Sequence, residues 1–234
     1  MQDIQNSQSN ALALVENAEN SSAIATEVET INPRDRAIEA RMTELRAHHL
    51  VGQRYFYPFP YLCQIYHLLN LKHLESVHGF SLNNLEILQV SHFQSSEVGG
   101  TIRFKTILRS PLNILRLWRQ PVVEVDLTLH DPYTVELTIP IYRGKQVTVL
   151  FNVIPLQNRG HELFIDIYSS LKRFKPLLKI VFHLASCLTV LEDLPYIRKL
   201  ARRNLERSIE LDKVSNHETM QLFKRFTELY GVGV

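Results

Sequence analysis

Cysteine is scarce in this chain of 234 residues: Cys63 and Cys187 are the only two. Neither stands in a C-x-x-C or C-x-H arrangement, so no zinc knuckle and no iron–sulfur cluster can be built from these residues alone. Two cysteines make no secreted disulfide framework, and a reducing compartment, the cytoplasm, is expected. Long apolar runs are missing as well. The longest, from 177 to 191, is interrupted by Lys179 and His183 and is too short and too polar to span a bilayer. Residues 1–33 contain no Lys or Arg but hold Asp3, Glu16, Glu19, Glu27 and Glu29. Such a start has no charged n-region and no apolar core, which excludes a signal peptide. Its acidity argues against a transit peptide. Residues 1–31 also lack aromatics and are rich in Asn, Ser, Gln and Ala, so they cannot bury enough apolar surface to order themselves. They are expected to form a disordered acidic leader.

Charge is unevenly spread. The leader carries −5, which leaves +7 on the rest of a chain whose net charge is +2. A mildly basic body favours anionic surfaces, including peripheral contact with a membrane, but is no nucleic-acid signature, and no nucleic-acid partner is expected. A phosphate-binding glycine loop is also missing, since Gly99-Gly100 reads as a turn between strands.

What is present divides into helical and alternating patterns. Asn32-Pro33 reads as an N-cap followed by proline at the first helical position, and Ile38, Met42, Leu45 and His49 continue at helical spacing, which predicts a helix over 33–50. Tyr55 to Tyr61 holds five aromatics and two prolines and reads as an aromatic strap at the core edge or pocket rim. Leu62, Ile65, Tyr66, Leu69, His73 and Val77 predict one helix over 62–78, ended by Gly79. The period then changes from 3.6 to 2. Strands are predicted at 85–90, 101–108, 122–130, 134–141, 146–154 and 162–168, with turns at Asp131-Pro132, Arg143-Gly144-Lys145 and Arg159-Gly160. Short links imply an antiparallel meander. The long link 110–121, with Trp118, is expected over a pocket mouth. The tail predicts an apolar helix over 172–191 and a second over 194–211, the latter with a basic face of Arg198, Lys199, Arg202, Arg203 and Arg207. A capping box at Ser215-Asn216-His217-Glu218 opens a last helix.

The expected domains are 1–31, the leader; 32–58, the N-terminal helix and aromatic strap; and 59–234, the main body. The class is α+β. A helix, about six antiparallel strands and a long C-terminal helix make a helix-grip, START-like layout, in which the sheet curls around the helix and leaves a cavity for a hydrophobic small molecule. Layout alone does not give chemistry.

The candidate chemistry lies in His73 and His78. On an ideal helix residues five apart diverge by about 140°, but Gly79 is expected to end the helix, and a loosened last turn can bring the rings together. Two neutral imidazoles and one carboxylate on one face of a redox-active metal form the facial triad of non-haem Fe(II) oxygenases, which keeps positions open for dioxygen and substrate. For Asp193, two residues before Pro195, an N-cap role on the following helix is the competing reading, and Glu192 is an alternative ligand. His48-His49 reads as surface. His183 is read as cavity-lining or as a hydrogen-bonded core histidine. Cys63 has no basic neighbour and is no activated nucleophile.

The stretch from Asn70 through His73 to His78 resembles the D-x-x-H-x-x-x-x-H motif of Rieske-type mononuclear iron oxygenases, in the catalytic domain of the α subunit. Leu191-Glu192-Asp193-Leu194 resembles the Glu-Asp pair that follows an apolar helix in that family. The resemblance covers roughly 60–230 and includes the order of pair, strands, apolar helix and Glu-Asp. It implies a helix-grip catalytic domain with His73, His78 and Asp193 as Fe(II) ligands. It places Asn70 where the family has an aspartate that conducts electrons between subunits. Three departures stand out: Asn70 cannot ionise, the family's C-x-H and C-x-x-H cluster motifs are missing, and the loop insertions are short. The implied activity is therefore dioxygen-dependent oxidation of an apolar or aromatic small molecule with electrons from a separate donor protein. The second reading is a non-catalytic helix-grip module binding a lipid or pigment-like ligand. Metal content separates the two.

Overall fold

The structure, a computed structural model, describes residues 33–77, 85–108, 120–157, 160–171, 175–202 and 218–231. The chain forms two compact units, Met1–Ala40 and Arg41–Val234. Of the first, the described part is the opening of helix α1 (Pro33–Arg46). The second contains β1 (His49–Tyr57), α2 (Tyr61–Leu69), α3 (Lys72–Ser76), β2 (Leu85–Ser95), β3 (Gly100–Leu108), β4 (Val122–Leu129), β5 (Thr134–Ile141), β6 (Lys145–Pro155), β7 (His161–Ser169), α4 (Lys175–Arg202) and α5 (Gln221–Tyr230).

Among the described residues the strands form one open antiparallel sheet in the order β1-β7-β6-β5-β4-β3-β2. Its strands number seven, not six. The six expected from alternation are β2 to β7, and the seventh is β1, which falls on the expected end of α1 and the start of the aromatic strap. Helix α1 stops at Arg46, and the chain turns at once into an edge strand paired with β7 from His49↔Tyr168 to Tyr57↔His161. That partner lies over a hundred residues away, so local periodicity carries little sign of the pairing. Elsewhere the register stacks the alternating apolar positions. Leu127 faces Leu137, Leu137 faces Val149, Val149 faces Ile167, and Ile167 faces Val51, one apolar row across five strands. Gly99 is required where the chain enters β3, because a Cβ there would sit 2.0 Å from the carbonyl oxygen of Leu129. Gly144 (φ 65°) makes the β5–β6 turn in the left-handed region.

Two helices differ from expectation. The single helix over 62–78 is broken into α2 and α3 at Asn70, whose backbone is extended (φ −89°, ψ 97°). The two tail helices are one, because α4 runs through Pro195. Proline removes one helical hydrogen bond, but Leu178, Ser186, Val190, Asp193 and Ile197 bury one continuous face on both sides of it, and that packing holds the axis together. Asp193 is thus a mid-helix residue and no N-cap. The expected loop at 110–121, the second half of the basic face at Arg203 and Arg207, and Ser215 to His217 of the capping box lie outside the described residues, apart from Gln120 and Pro121.

The outer face of the sheet holds a buried ion cluster. Glu136 accepts hydrogen bonds from Arg41 (3.0 and 2.5 Å) and from His130 Nε2 (2.8 Å). Burial pushes the Glu136 carboxyl up, and the His130 and Arg41 hydrogen bonds and charges outweigh it, bringing it from 4.5 down to about 2. Its stabilisation is complete above about pH 4.5 and is lost as pH falls toward 2. Urea unfolding across pH should show this acid loss in the wild type and a flatter profile in Glu136→Gln. At pH 7 that variant should be less stable by about 3 kcal/mol, because Arg41 keeps only the exposed Glu44 and His130 loses its carboxylate.

The cysteines also differ measurably. Cys63 is buried in α2, and burial pushes its thiol up to about 11, whereas Cys187 is only partly buried. A thiol reagent such as Ellman's should therefore modify Cys187 in the native chain and reach Cys63 only in denaturant.

Candidate metal centre

A cavity of about 200 Å³ lies between the sheet and α4. Its sheet wall comes from the apolar row and its neighbours, Leu127, Leu137, Val149, Phe151, Ile165 and Ile167. Its helix wall comes from Phe182, Ala185, Ser186 and Val190 of α4, and Gln64 and Leu68 of α2 add a third side. His67, His73 and Asp193 line it as well.

These three groups form a buried cluster. One ligand atom from each lies within 4.8 Å of the other two. His67 Nε2 is 3.0 Å from Asp193 Oδ1, and the two imidazole rings lie 4.0 Å apart between centroids at 40°. His67, His73 and Asp193 are 1%, 5% and 7% exposed. His73 Nδ1 lies 2.5 Å from the main-chain oxygen of Asn70. A carbonyl only accepts, so Nδ1 carries the proton. A ring nitrogen fixed in this way is the usual support of a metal-ligating histidine. Burial, and secondarily the Asp193 charge, push the Tyr57 hydroxyl up to about 12. Tyr196 also packs on His67, with ring centroids 5.5 Å apart.

The local fold explains the convergence. On one continuous helix His67 and His73 would point about 120° apart. The break at Asn70 starts α3 on a new axis and turns His73 back toward His67. Asn70 stabilises that break, since its side-chain oxygen accepts from the backbone N–H of Lys72 at 3.1 Å. Its side-chain amide donates to the Tyr196 hydroxyl at 3.5 Å, so the part of Asn70 that reaches the cluster is its main-chain carbonyl. Asp193 comes from α4, three residues after Val190 of the cavity wall.

The structure therefore brings together two of the histidine and carboxylate residues singled out in the sequence, His73 and Asp193. His78 lies outside the described residues. His67, which was not singled out, joins them, because reading 62–78 as one helix put it away from the face of His73. The asparagine between the two histidines is the available signal of a break. Asp193 and not Glu192 faces the cluster. His183 does not line the cavity: it is exposed, and its ring meets Gln53 at 2.7 Å on the β1 side. His49 of the adjacent pair meets Asp166 at 2.8 Å.

The donor set fits a metal. Two imidazoles and a carboxylate, buried together and open toward a cavity, match the 2-His-1-carboxylate pattern of non-haem Fe(II), and a dication would offset the cost of burying the carboxylate. Among the described residues no helix is long and apolar enough to cross a membrane.

No family model and no curated protein matches the sequence. Solved structures do match the fold. Dicamba monooxygenase bound to dicamba superposes with a TM-score of 0.60 at 13% identity, covering 78% of this chain and 57% of that one. The NdmA QL mutant of Pseudomonas putida CBB5 with theobromine superposes with a TM-score of 0.53 at 15% identity, covering 76% and 48%. The chain thus spans roughly half the length of the solved chains it matches. At this identity the likeness to dicamba monooxygenase and NdmA is one of fold alone.

Proposed function

We propose that this chain is a helix-grip, oxygenase-like catalytic domain that holds one mononuclear Fe(II) on His67, His73 and Asp193 and acts on an apolar or aromatic small molecule. The observation that carries the reading is the burial of two histidines and one carboxylate within 4.8 Å of each other at the wall of an otherwise apolar cavity. The fold shared with Rieske oxygenase catalytic subunits supports it.

Iron bound there would supply a redox-active centre with positions open to dioxygen. The protein's own residues supply the rest. His73 is oriented by the Asn70 carbonyl through Nδ1, so Nε2 is the ring nitrogen that would meet the metal. His67 and Asp193 offer neighbouring donor atoms from two different helices, so the site exists only when α2 and α4 are packed. The apolar row of the sheet excludes water and selects against charged substrates. Electrons come from a separate donor protein. The binding-module reading keeps the same cavity without the metal, and the apolar lining favours it equally.

Iron loading tests the proposal. Protein purified without oxygen, incubated with Fe(II) and desalted should retain one iron per chain. His67→Ala, His73→Ala and Asp193→Ala should each fall below about a tenth of that, whereas His78→Ala should keep it. An iron-free wild type refutes the oxygenase reading and directs the search to a ligand extractable from the cavity. Loss in His78→Ala with retention in His67→Ala returns the site to the His73 and His78 pair.

A further inference from the structure

Helix α4 is apolar on two opposite faces. One is buried over the cavity. On the other, Leu177, Ile180, Leu184, Leu188 and Leu191 are 56%, 59%, 56%, 39% and 63% exposed. At 100° per residue this stripe is centred about 170° from the buried face of Leu178, Ser186, Val190, Asp193 and Ile197. Its steps are three, four, four and three residues, a mean of 3.5, which is the period of a helix–helix seam rather than of scattered surface leucines. A soluble surface seldom leaves such a row uncovered.

We infer that this stripe is a self-pairing seam, on which two copies of the chain associate with their α4 helices antiparallel about a two-fold axis at Leu184. The spacing reads the same in both directions from Leu184. Leu177 and Leu191 stand seven residues to either side, and Ile180 and Leu188 stand four. A two-fold axis there lays Leu177 of one copy on Leu191 of the other, Ile180 on Leu188, and Leu184 on itself, as an isologous interface requires.

Charge selects the antiparallel arrangement. The face of the seam continues into Arg198 and Arg202, both exposed. Parallel pairing would set these cations against their own copies. Antiparallel pairing carries the two Arg198 residues about 40 Å apart along the axis, beyond the screening length. The five side chains expose about 500 Å² per copy, so the pair can bury up to about 1,000 Å², the threshold that an interface between copies should reach. The seam lies on the side of α4 away from His67, His73 and Asp193, so pairing leaves the cavity walls untouched and does not depend on iron.

The test uses the full chain. Sedimentation equilibrium should find a dimer, and Leu184→Glu, which sets two carboxylates against each other on the axis, should weaken it at least about a hundredfold with an unchanged circular dichroism spectrum. In a Cys187→Ser background, Leu184→Cys should form a disulfide between copies on oxidation. Leu177→Cys alone should not, because its two copies lie about 21 Å apart, but mixed with Leu191→Cys it should cross-link. A wild type that stays monomeric overturns the inference, and binding to phosphatidylserine vesicles that Leu184→Glu abolishes in such a monomer would assign the stripe to a membrane surface. A dimer that survives Leu184→Glu, or one that cross-links through Leu177→Cys alone, overturns it equally.

Discussion

The contact between His67 and Asp193 is the constraint on which the interior depends. A carboxylate taken out of water among leucine, valine and phenylalanine side chains is costly unless a partner meets it. Here the partner comes from a helix 126 residues earlier in the chain. The contact joins α2 to α4 and places the polar cluster at the wall of an apolar space.

Helix α4 therefore has two roles set by its two apolar faces. Inward, it closes the cavity over the row that runs from Leu127 to Val51 across the sheet. Outward, it presents a leucine row that neither the sheet nor the described helices cover. A helix that served only as a lid would be amphipathic, with a polar outer face. The second apolar face is thus a separate demand on the same 28 residues.

Most of the architecture was legible because alternation is a local property. Val123 to Leu129, Val135 to Ile141, Val147 to Val153 and Leu163 to Ile167 each announce an inward face, and the structure stacks them in register. β1 was not legible, because its pairing with β7 is non-local and its prolines and aromatics resemble a strap. The candidate site was legible in part. His73 and Asp193 stand out by type and order. His67 does not, because its position depends on a helix break whose sign in the sequence is a single asparagine.

By itself, the sequence determined the class of the protein: an antiparallel sheet with an apolar face, a long apolar helix after it, and a histidine pair and a carboxylate placed before and after the strands. Each of these follows from periodicity or residue type, which act over a few residues. Only the tertiary structure decided that His67 lies beside His73, that Asp193 points inward instead of capping a helix, and that the leucines of 177–191 divide into a buried and an exposed face. Those outcomes depend on the angle at Asn70 and on the packing of α4 against distant elements, and packing energy is shared among residues far apart in the chain.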